Sequence, residues 1–254
     1  IDSFRNLKLK EINAQEYFFA VSPSVKSLLP KSTIKSFFNK ISADIYFPVI
    51  HGTYGEDGTL QGMLEMANVP YAGSGVTGSA VGMDKIIQKA VFKDAGLSVV
   101  KYVWFLKSEW QDNKVKIIEN IEKTLGYPVF VKPANLGSSI AINKASGLKE
   151  LEWAIEVASS FDRRIIVEEG KEGIIEINCS VIGNNNELTA SVCEQPIKSD
   201  QMLTYEDKYL KGGKIKGMAG LSRFVPAPIN EELTKKIQDM AKRAFKAVDA
   251  AGIS

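Results

Sequence analysis

A short apolar run that ends in a glycine-rich loop constrains the fold of this chain more than any other feature. Residues 43–50 read Ala-Asp-Ile-Tyr-Phe-Pro-Val-Ile, which is typical of a buried parallel strand. A polar loop follows at 51–58, and residues 60–67 then have helical spacing. This order predicts a βα unit whose loop faces a ligand at the carboxyl end of the strand.

Helices and strands alternate along the rest of the chain. The spacing of apolar residues predicts helices over 79–94, 114–125, 148–160 and 230–248. Shorter apolar runs predict strands over 99–105, 128–133, 140–143 and 164–169, and a hairpin around 184–186. The pattern predicts an α/β protein with some antiparallel sheet (α+β mixed). The polar segment 198–223 lacks periodicity and has the length of a functional lid.

Composition excludes several classes of protein. The 254 residues predict two or three subdomains, and 44% hydrophobic with 24% charged residues is typical of a soluble globular chain. The net charge of +2 does not favour nucleic acid or an anionic membrane as a partner, and no apolar run is long enough to span a bilayer. Cys179 and Cys193 lack metal-site spacing and are expected to be free thiols.

The loop at 51–58 carries groups that can orient a ligand. His51 is the only histidine in the chain, and Glu56 and Asp57 follow it among three glycines. Glycine permits a backbone path close to a ligand, and histidine and carboxylates can exchange protons or hydrogen bonds with one. Taken alone, a histidine at a strand end is more often structural than catalytic.

The loop belongs to a longer pattern over residues 51–85. The pattern is His51-Gly52-x-x-Gly55-Glu56-Asp57-Gly58-x-x-Gln61-Gly62-x-Leu64-Glu65, then Pro70-Tyr71-x-Gly73 and Ser79-Ala80-x-x-Met83-Asp84-Lys85. It resembles the signature of the D-alanine–D-alanine ligases, which are ATP-grasp enzymes. The resemblance implies an ATP-grasp fold with an N-terminal Rossmann-like (preATP-grasp) subdomain at 1–82, a central ATP-grasp subdomain at 83–170 and an incomplete C-terminal one at 171–254.

A second segment, 131–139, reads Val-Lys-Pro-Ala-Asn-Leu-Gly-Ser-Ser. A lysine that ends a strand before a loop of small residues can place its ammonium and several backbone N–H groups around phosphates. The spacing alone leaves an ordinary hairpin with an exposed lysine open. The segment resembles the family's phosphate-covering element, which implies that Lys85, Lys132, Ser138 and Ser139 bind ATP.

One residue after that segment departs from the family pattern. The family commonly has glycine where this chain has Ala141. Alanine is harmless on a strand but unfavourable at positive φ.

Acidic residues follow the strand predicted at 164–169. By resemblance, Glu168 lies on the adenine side of the nucleotide and Glu176 on the ribose side, and Glu169 is also expected to bind the nucleotide. Solvated acids beside a strand remain the alternative for Glu169.

The segment 204–209 reads Thr-Tyr-Glu-Asp-Lys-Tyr and resembles the family's closing loop. By resemblance, Lys208 approaches the γ-phosphate, Tyr209 hydrogen-bonds toward Ser138, and His51 and Glu56 help to bind the first substrate. Ser138, Tyr209, His51 and Lys208 are thus the expected catalytic residues. A solvated turn remains the plainer interpretation of 204–209.

The resemblance also implies parts that this chain lacks. The glutamate that anchors the first substrate is expected before Ile1, and the arginine and the metal ligands are expected beyond Ser254, so both ends look cut. The implied activity is ligation of two D-alanines with ATP and Mg²⁺ (or Mn²⁺), in the bacterial cytoplasm. The partners are small molecules, and a homodimer stays open.

Three alternatives remain at this point. The first is a D-alanine–D-serine ligase of the glycopeptide-resistance type. The second is another ATP-grasp carboxylate–amine ligase, of the biotin-carboxylase or glutathione-synthetase kind, which the long pattern at 51–85 disfavours. The third is a catalytically incomplete ATP-binding fragment.

Overall fold

The computed structural model describes residues 17–19, 28–30, 41–184, 186–197 and 223–253. Contacts group Val49–Thr59 with Gly73–Ser254 in one compact unit, and Ile1–Pro48 with Leu60–Ala72 in another. The larger unit carries most of the motifs singled out in the sequence. The three subdomains expected from the resemblance stay a prediction.

The described part of the chain mixes helices with mostly antiparallel strands, as the alternating pattern predicts. The helices are α1 Thr59–Met66, α2 Val76–Met83, α3 Lys85–Asp94, α4 Lys107–Thr124, α5 Leu148–Ser159 and α6 Glu231–Ala247. The strands are β1 Tyr17–Phe19, β2 Leu28–Pro30, β3 Tyr102–Leu106, β4 Val129–Pro133, β5 Asn143–Ala145, β6 Arg164–Glu169, β7 Val181–Gly183, β8 Leu188–Ala190, β9 Gln195–Pro196, β10 Arg223–Phe224 and β11 Gly252–Ile253.

A four-stranded antiparallel sheet in the order β3-β6-β4-β5 is the centre of the larger unit. Side chains alternate between the faces of a strand, so the sheet has two chemically different sides. One side has an apolar centre that packs against α4 and α5, with Glu169 and Asn143 at its margins. Its buried residues include Phe105, Val129, Val131, Ile165, Val167, Ile121, Leu151 and Ile155.

The other side of this sheet carries the charged residues. Glu168 pairs with Tyr102 on β3 and with Phe130 on β4, and Lys132 pairs with Ile166. Because cross-strand partners share a face, these five side chains lie on one side of the sheet. Helix α3 contributes Ile86 to a small cluster with Ile166 and Tyr102 on this side.

A second core holds the carboxyl-terminal part of the larger unit. Helix α6 is capped at its start by Asn230, whose side chain accepts a hydrogen bond from the Leu233 N–H at 2.8 Å. Phe245 and Val248 pack with Val181 of β7. Strands β7 and β8 pair antiparallel, which confirms the hairpin; Asn185 in its turn lies outside the described residues.

The prediction of a buried strand at 43–50, all of which lies within the described residues, is wrong. Most of its side chains are exposed, and Tyr46 makes only a single parallel bridge, to Tyr71. A buried parallel strand requires neighbours on both edges and cover on both faces. Within the described residues of the smaller unit, Leu64, Ala67 and Val69 form the apolar core instead.

The helix predicted at 79–94 is two helices. Asp84 has extended backbone angles (φ −86°, ψ 103°) and separates α2 from α3. Its carboxylate accepts hydrogen bonds from the N–H groups of Ile86 at 3.0 Å and Ile87 at 3.1 Å, so it caps α3. The apolar spacing continues across this break, which is why periodicity alone missed it.

Two further boundaries differ from the prediction. Helix α4 begins at Lys107, where Glu109 accepts a hydrogen bond from the Leu106 N–H at 2.7 Å and Trp110 is buried. Its backbone kinks at Asn113 (φ −135°, ψ 35°), so the helix predicted from 114 is the part of α4 after the kink. The strand predicted at 140–143 is mostly a turn, and β5 begins at Asn143. Positive φ angles in the preceding loop exclude extended structure there.

Both cysteines are free thiols, as predicted, and Cys193 is buried. Among the described residues, no helix combines the length and apolarity that crossing a bilayer requires.

Candidate functional site

Glu168 is a charged residue at the end of the most buried strand. The three residues before it, Ile165 to Val167, have no exposed surface, and Glu168 itself is 7% exposed. Its Oε2 lies 2.6 Å from Nζ of Lys132 on β4, and its Oε1 lies 3.2 Å from Nζ of Lys89 on α3. Burial alone would raise the pKa of Glu168, but Lys132 and Lys89 hold it below its ordinary value.

Lys85 ties helix α3 to the loop after β4. Its Nζ donates to the carbonyl oxygens of Leu136 at 2.5 Å and Ala134 at 3.3 Å. Burial, with Lys132 nearby, lowers the pKa of Lys85 to about 8. The ammonium group is therefore held beside the backbone of the loop that the sequence predicts to cover phosphates.

Positive charge exceeds negative charge in this cluster. Lys85, Lys89 and Lys132 come together around Glu168. Asp162 and Asp84 also act on Lys85, and Asp84 is itself paired with Arg164. With that guanidinium counted, cationic groups still outnumber carboxylates. A largely buried cationic excess is costly unless an anion offsets it, so the cluster fits a ligand with several negative charges.

The loop between β4 and β5 has an unusual backbone. Ser138 (φ 56°), Ser139 (φ 60°) and Ala141 (φ 56°) all adopt left-handed conformations, although none of them is glycine. Each such residue stores about 1–2 kcal/mol of strain. Ala141 thus has the positive φ for which the family's glycine is suited. The successive turns present Ser138 and Ser139 together in one compact loop.

Two residues that sequence reasoning missed hold this region together. Arg164 at the start of β6 forms an ion pair with the α3 cap residue Asp84. Asp162 accepts a hydrogen bond from the Asn135 N–H at 2.8 Å and so anchors the start of the β4–β5 loop. Spacing gave no signal for the Asp84–Arg164 pair, because its members lie 80 residues apart.

Lys89 was also missed, although a signal was available. It lies four residues after Lys85 on an amphipathic helix, and residues four apart share a helix face.

The other acids near β6 have different surroundings. Glu169 accepts a hydrogen bond from the Lys101 N–H at 2.8 Å and pairs with Lys171 at 2.8 Å. The hydrogen bond from Lys171, and after it the one from the Lys101 N–H, hold the pKa of Glu169 below its ordinary value. Glu176 lies on an exposed segment between β6 and β7.

The loop at 51–58 is fastened by its own acids. Glu56 accepts a hydrogen bond from the Gly52 N–H at 2.6 Å, and its other oxygen lies 3.7 Å from Nδ1 of His51. Asp57 accepts from the N–H groups of Tyr54 at 2.8 Å and Thr59 at 3.0 Å. Burial opposes the effect, but these hydrogen bonds hold the pKa of Asp57 below its ordinary value. The side chain of His51 is 76% exposed and open to a ligand.

Lys208 and Tyr209, and the predicted lid at 198–223 except Arg223, lie outside the described residues. No three His, Cys, Asp or Glu side chains gather as metal ligands in the ranges that the structure describes. The residues that the structure does bring together are Lys85, Lys132 and Glu168, joined by Lys89.

Comparisons with known proteins agree with the pattern at 51–85. The family model of the D-ala D-ala ligase N-terminus matches residues 3–74, and the model of the C-terminus matches residues 91–254. A D-alanine–D-alanine ligase of Bacillus velezensis is 41% identical over 248 residues, and one of Bacillus cytotoxicus is 46% identical over 211 residues.

The chain belongs to the D-alanine–D-alanine ligase family.

The family resemblance extends to three dimensions. The crystal structure of the VanG D-Ala:D-Ser ligase from Enterococcus faecalis superimposes with a TM-score of 0.80 at 33% identity, and the match covers 98% of this chain and 68% of that one. The fold is therefore ATP-grasp, as predicted. The match to the B. velezensis ligase covers 98% of this chain and 67% of that ligase. The match to the B. cytotoxicus ligase covers 83% of this chain and 56% of that ligase.

The positive φ of Ala141 leads to a testable prediction about stability. Replacing Ala141 by glycine is expected to raise the free energy of unfolding by about 0.5–1 kcal/mol. Left-handed backbone costs a residue with a Cβ about 1–2 kcal/mol, and the greater freedom of glycine in the unfolded chain takes back about 0.4–1 kcal/mol. Chemical denaturation measures the change.

Ala145, buried on β5, provides the matched control. Ala145→Gly should lower the free energy of unfolding by about 1 kcal/mol. Glycine gives the unfolded chain more freedom and loses the packing of the methyl group, and there is no strain at this position to relieve. Equal destabilisation by both substitutions would contradict the account of strain at Ala141.

Proposed function

We propose that the protein joins two D-alanines into D-alanyl-D-alanine with hydrolysis of ATP to ADP and phosphate, for peptidoglycan precursor synthesis in the bacterial cytoplasm. The observation that carries the proposal is the buried cationic cluster of Lys85, Lys89 and Lys132 at the loop after β4. Family membership supports it, since curated relatives at 41% and 46% identity are named D-alanine–D-alanine ligases.

The cluster suits the charge that develops in this reaction. In the first step the carboxylate of one D-alanine attacks the γ-phosphorus of ATP, the bond to the β–γ bridging oxygen breaks, and an acylphosphate and ADP form. Lys132 and Lys85 would bind phosphate oxygens and offset the charge on the triphosphate. Glu168, held at the end of β6, would accept a hydrogen bond from the amino group of adenine.

In the second step the amine of the other D-alanine attacks the acyl carbon. The tetrahedral intermediate expels inorganic phosphate, the amine nitrogen loses a proton, and the amide bond remains. Water must be excluded, because an acylphosphate hydrolyses readily. The segment 198–223 is the proposed lid, with Lys208 near the γ-phosphate and Tyr209 near Ser138. His51 and Glu56 are proposed to position the first substrate.

The other site residues follow the same proposal. Ser138 and Ser139 would cover the phosphates from their compact loop, and Glu169 and Glu176 would lie near the base and the ribose. Mg²⁺ or Mn²⁺, which the family resemblance implies, would offset charge on the triphosphate when bound. Among the described residues, no three acidic, histidine or cysteine side chains gather to hold such an ion.

A D-alanine–D-serine ligase is the second candidate. The VanG D-Ala:D-Ser ligase supports it with its TM-score of 0.80. The higher identity of the relatives named D-alanine–D-alanine ligases favours D-alanine as the second substrate.

Phosphate release and product analysis test the proposal. The full-length protein, supplied with ATP, Mg²⁺ and D-alanine, is expected to release phosphate and form D-alanyl-D-alanine, and Lys132→Met should lower kcat/KM for ATP by at least about tenfold, the loss expected for one charge-assisted phosphate contact. The same assay with D-serine or D-lactate added distinguishes the second substrate. A folded, ATP-binding protein that releases no phosphate with any of these would refute the ligase reaction.

The pKa of Lys85 gives an independent prediction. A triphosphate binds the protonated lysine better, so binding should be strongest below pH 8 and should weaken as pH rises through the pKa of about 8 in the free protein. The Kd for ATP is expected to rise by up to about tenfold per pH unit between pH 8 and 9.5. Calorimetric titration at constant Mg²⁺ measures it.

Lys85→Arg is the control, because a guanidinium group stays charged throughout this range. Its Kd should be nearly flat from pH 7 to 9.5. The same pH dependence in both proteins would assign the effect to another group and remove Lys85 from the phosphate site.

A further inference from the structure

Lys89 gives Glu168 a second cation. Each carboxylate oxygen has its own ammonium partner: Oε2 contacts Lys132 at 2.6 Å and Oε1 contacts Lys89 at 3.2 Å. The side chains of Lys89 and Glu168 are only 14% and 9% exposed, so water screens their interaction weakly. The two lysines come from different elements, β4 and α3.

Under the proposed function, a bound nucleotide changes the Lys132–Glu168 contact and leaves the Lys89–Glu168 contact in place. Lys132 is then shared between Glu168 and a phosphate, and its hold on the carboxylate weakens. A buried carboxylate without a cation is costly and takes up a proton more readily. Lys89 lies on α3, whose start is fixed by the Asp84 cap and its ion pair with Arg164.

We propose that Lys89 is a positioning residue that keeps the Glu168 carboxylate in place as a hydrogen-bond acceptor for the base of the nucleotide while Lys132 turns to the phosphates. The inference rests on the proposed function, because it takes Glu168 as the residue that meets adenine. It assigns the selection of the base to a pair, Lys89 and Glu168, rather than to Glu168 alone.

The groups that face Glu168 determine its response to pH. Lys89 approaches from α3 and Lys132 from β4, Tyr102 is its neighbour on β3, and Lys85 acts through space. Burial would raise the pKa of Glu168, and the two contacting lysines lower it. Removing Lys89 therefore raises the pKa, and Glu168 loses its role as an acceptor as pH falls through the raised value.

The ratio of two dissociation constants isolates this effect. Inosine triphosphate carries an oxygen where ATP carries the amino group, so a charged acceptor favours ATP and a protonated carboxyl does not. A charge-assisted hydrogen bond corresponds to a preference of about tenfold or more. Loss of one positive charge weakens the binding of both triphosphates alike and cancels in the ratio.

The experiment measures Kd for ATP and for inosine triphosphate at pH 5.5 and pH 8 with the full-length protein. Wild type should prefer ATP by the same factor at both pH values. Lys89→Met should bind both ligands more weakly, and its preference should fall toward unity at pH 5.5. Lys89→Arg should restore the wild-type ratio at both pH values, which a merely structural defect would not predict.

Lys93 provides the matched control. It lies four residues further along α3, 4.4 Å from the centroid of the Tyr102 ring, and Lys93→Met removes the same charge without removing a contact to Glu168. Its ratio should equal that of wild type. Lys89→Gln serves the same purpose as Lys89→Met if the methionine variant does not fold.

Three results would overturn the inference. An unchanged, pH-independent ratio in Lys89→Met and Lys89→Gln would show that Glu168 does not need Lys89. A wild type that binds ATP but does not discriminate against inosine triphosphate would remove the role of Glu168 and leave the ligase reaction intact. A wild type that binds neither triphosphate would refute the proposed function as well.

Discussion

The rest of the site depends on one buried carboxylate. Glu168 lies next to the end of β6, and the three residues before it have no exposed surface. It can stay charged there only because Lys132 and Lys89 each contact one of its oxygens. This requirement explains why β4 and α3 both approach the same end of β6. It also explains the excess of ammonium groups, since the lysines that satisfy Glu168 leave charge over for an anionic ligand.

The backbone around this carboxylate is adapted to the same purpose. Three residues of the loop between β4 and β5 have positive φ, so its backbone is strained. The ammonium group of Lys85 holds the loop in place by donating hydrogen bonds to two of its carbonyl oxygens. Strain of this kind persists only where surrounding contacts over-determine the conformation. The hydrogen bond from the Asn135 N–H to Asp162 and the capped start of α3 supply those contacts.

The sequence predicted the architecture better than the site. The apolar run at 164–169 placed β6, and apolar spacing placed α6 and the end of α3, because those signals are local. The 51–85 pattern identified the family. The break at Asp84 was missed because the apolar spacing continues across it, although its cap on Ile86 and Ile87 is local. The partnership of Lys89 with Glu168 was missed because it joins residues distant in sequence. The prediction of a buried strand at 43–50 failed because apolar composition does not show whether other elements pack over both faces of a segment. Lys208 and Tyr209 lie outside the described residues and stay predictions.

The proposed function depends on the lysines around Glu168 binding a triphosphate. The most direct test is the shift of the thermal unfolding midpoint of the full-length protein with ATP and with adenosine, in wild type and in Lys132→Met. A ligand that binds only the folded state raises the midpoint according to its affinity. If the lysines bind the triphosphate, the midpoint of wild type should rise clearly more with ATP than with adenosine, and this difference should be smaller in Lys132→Met. Equal shifts with ATP and adenosine in wild type would contradict it.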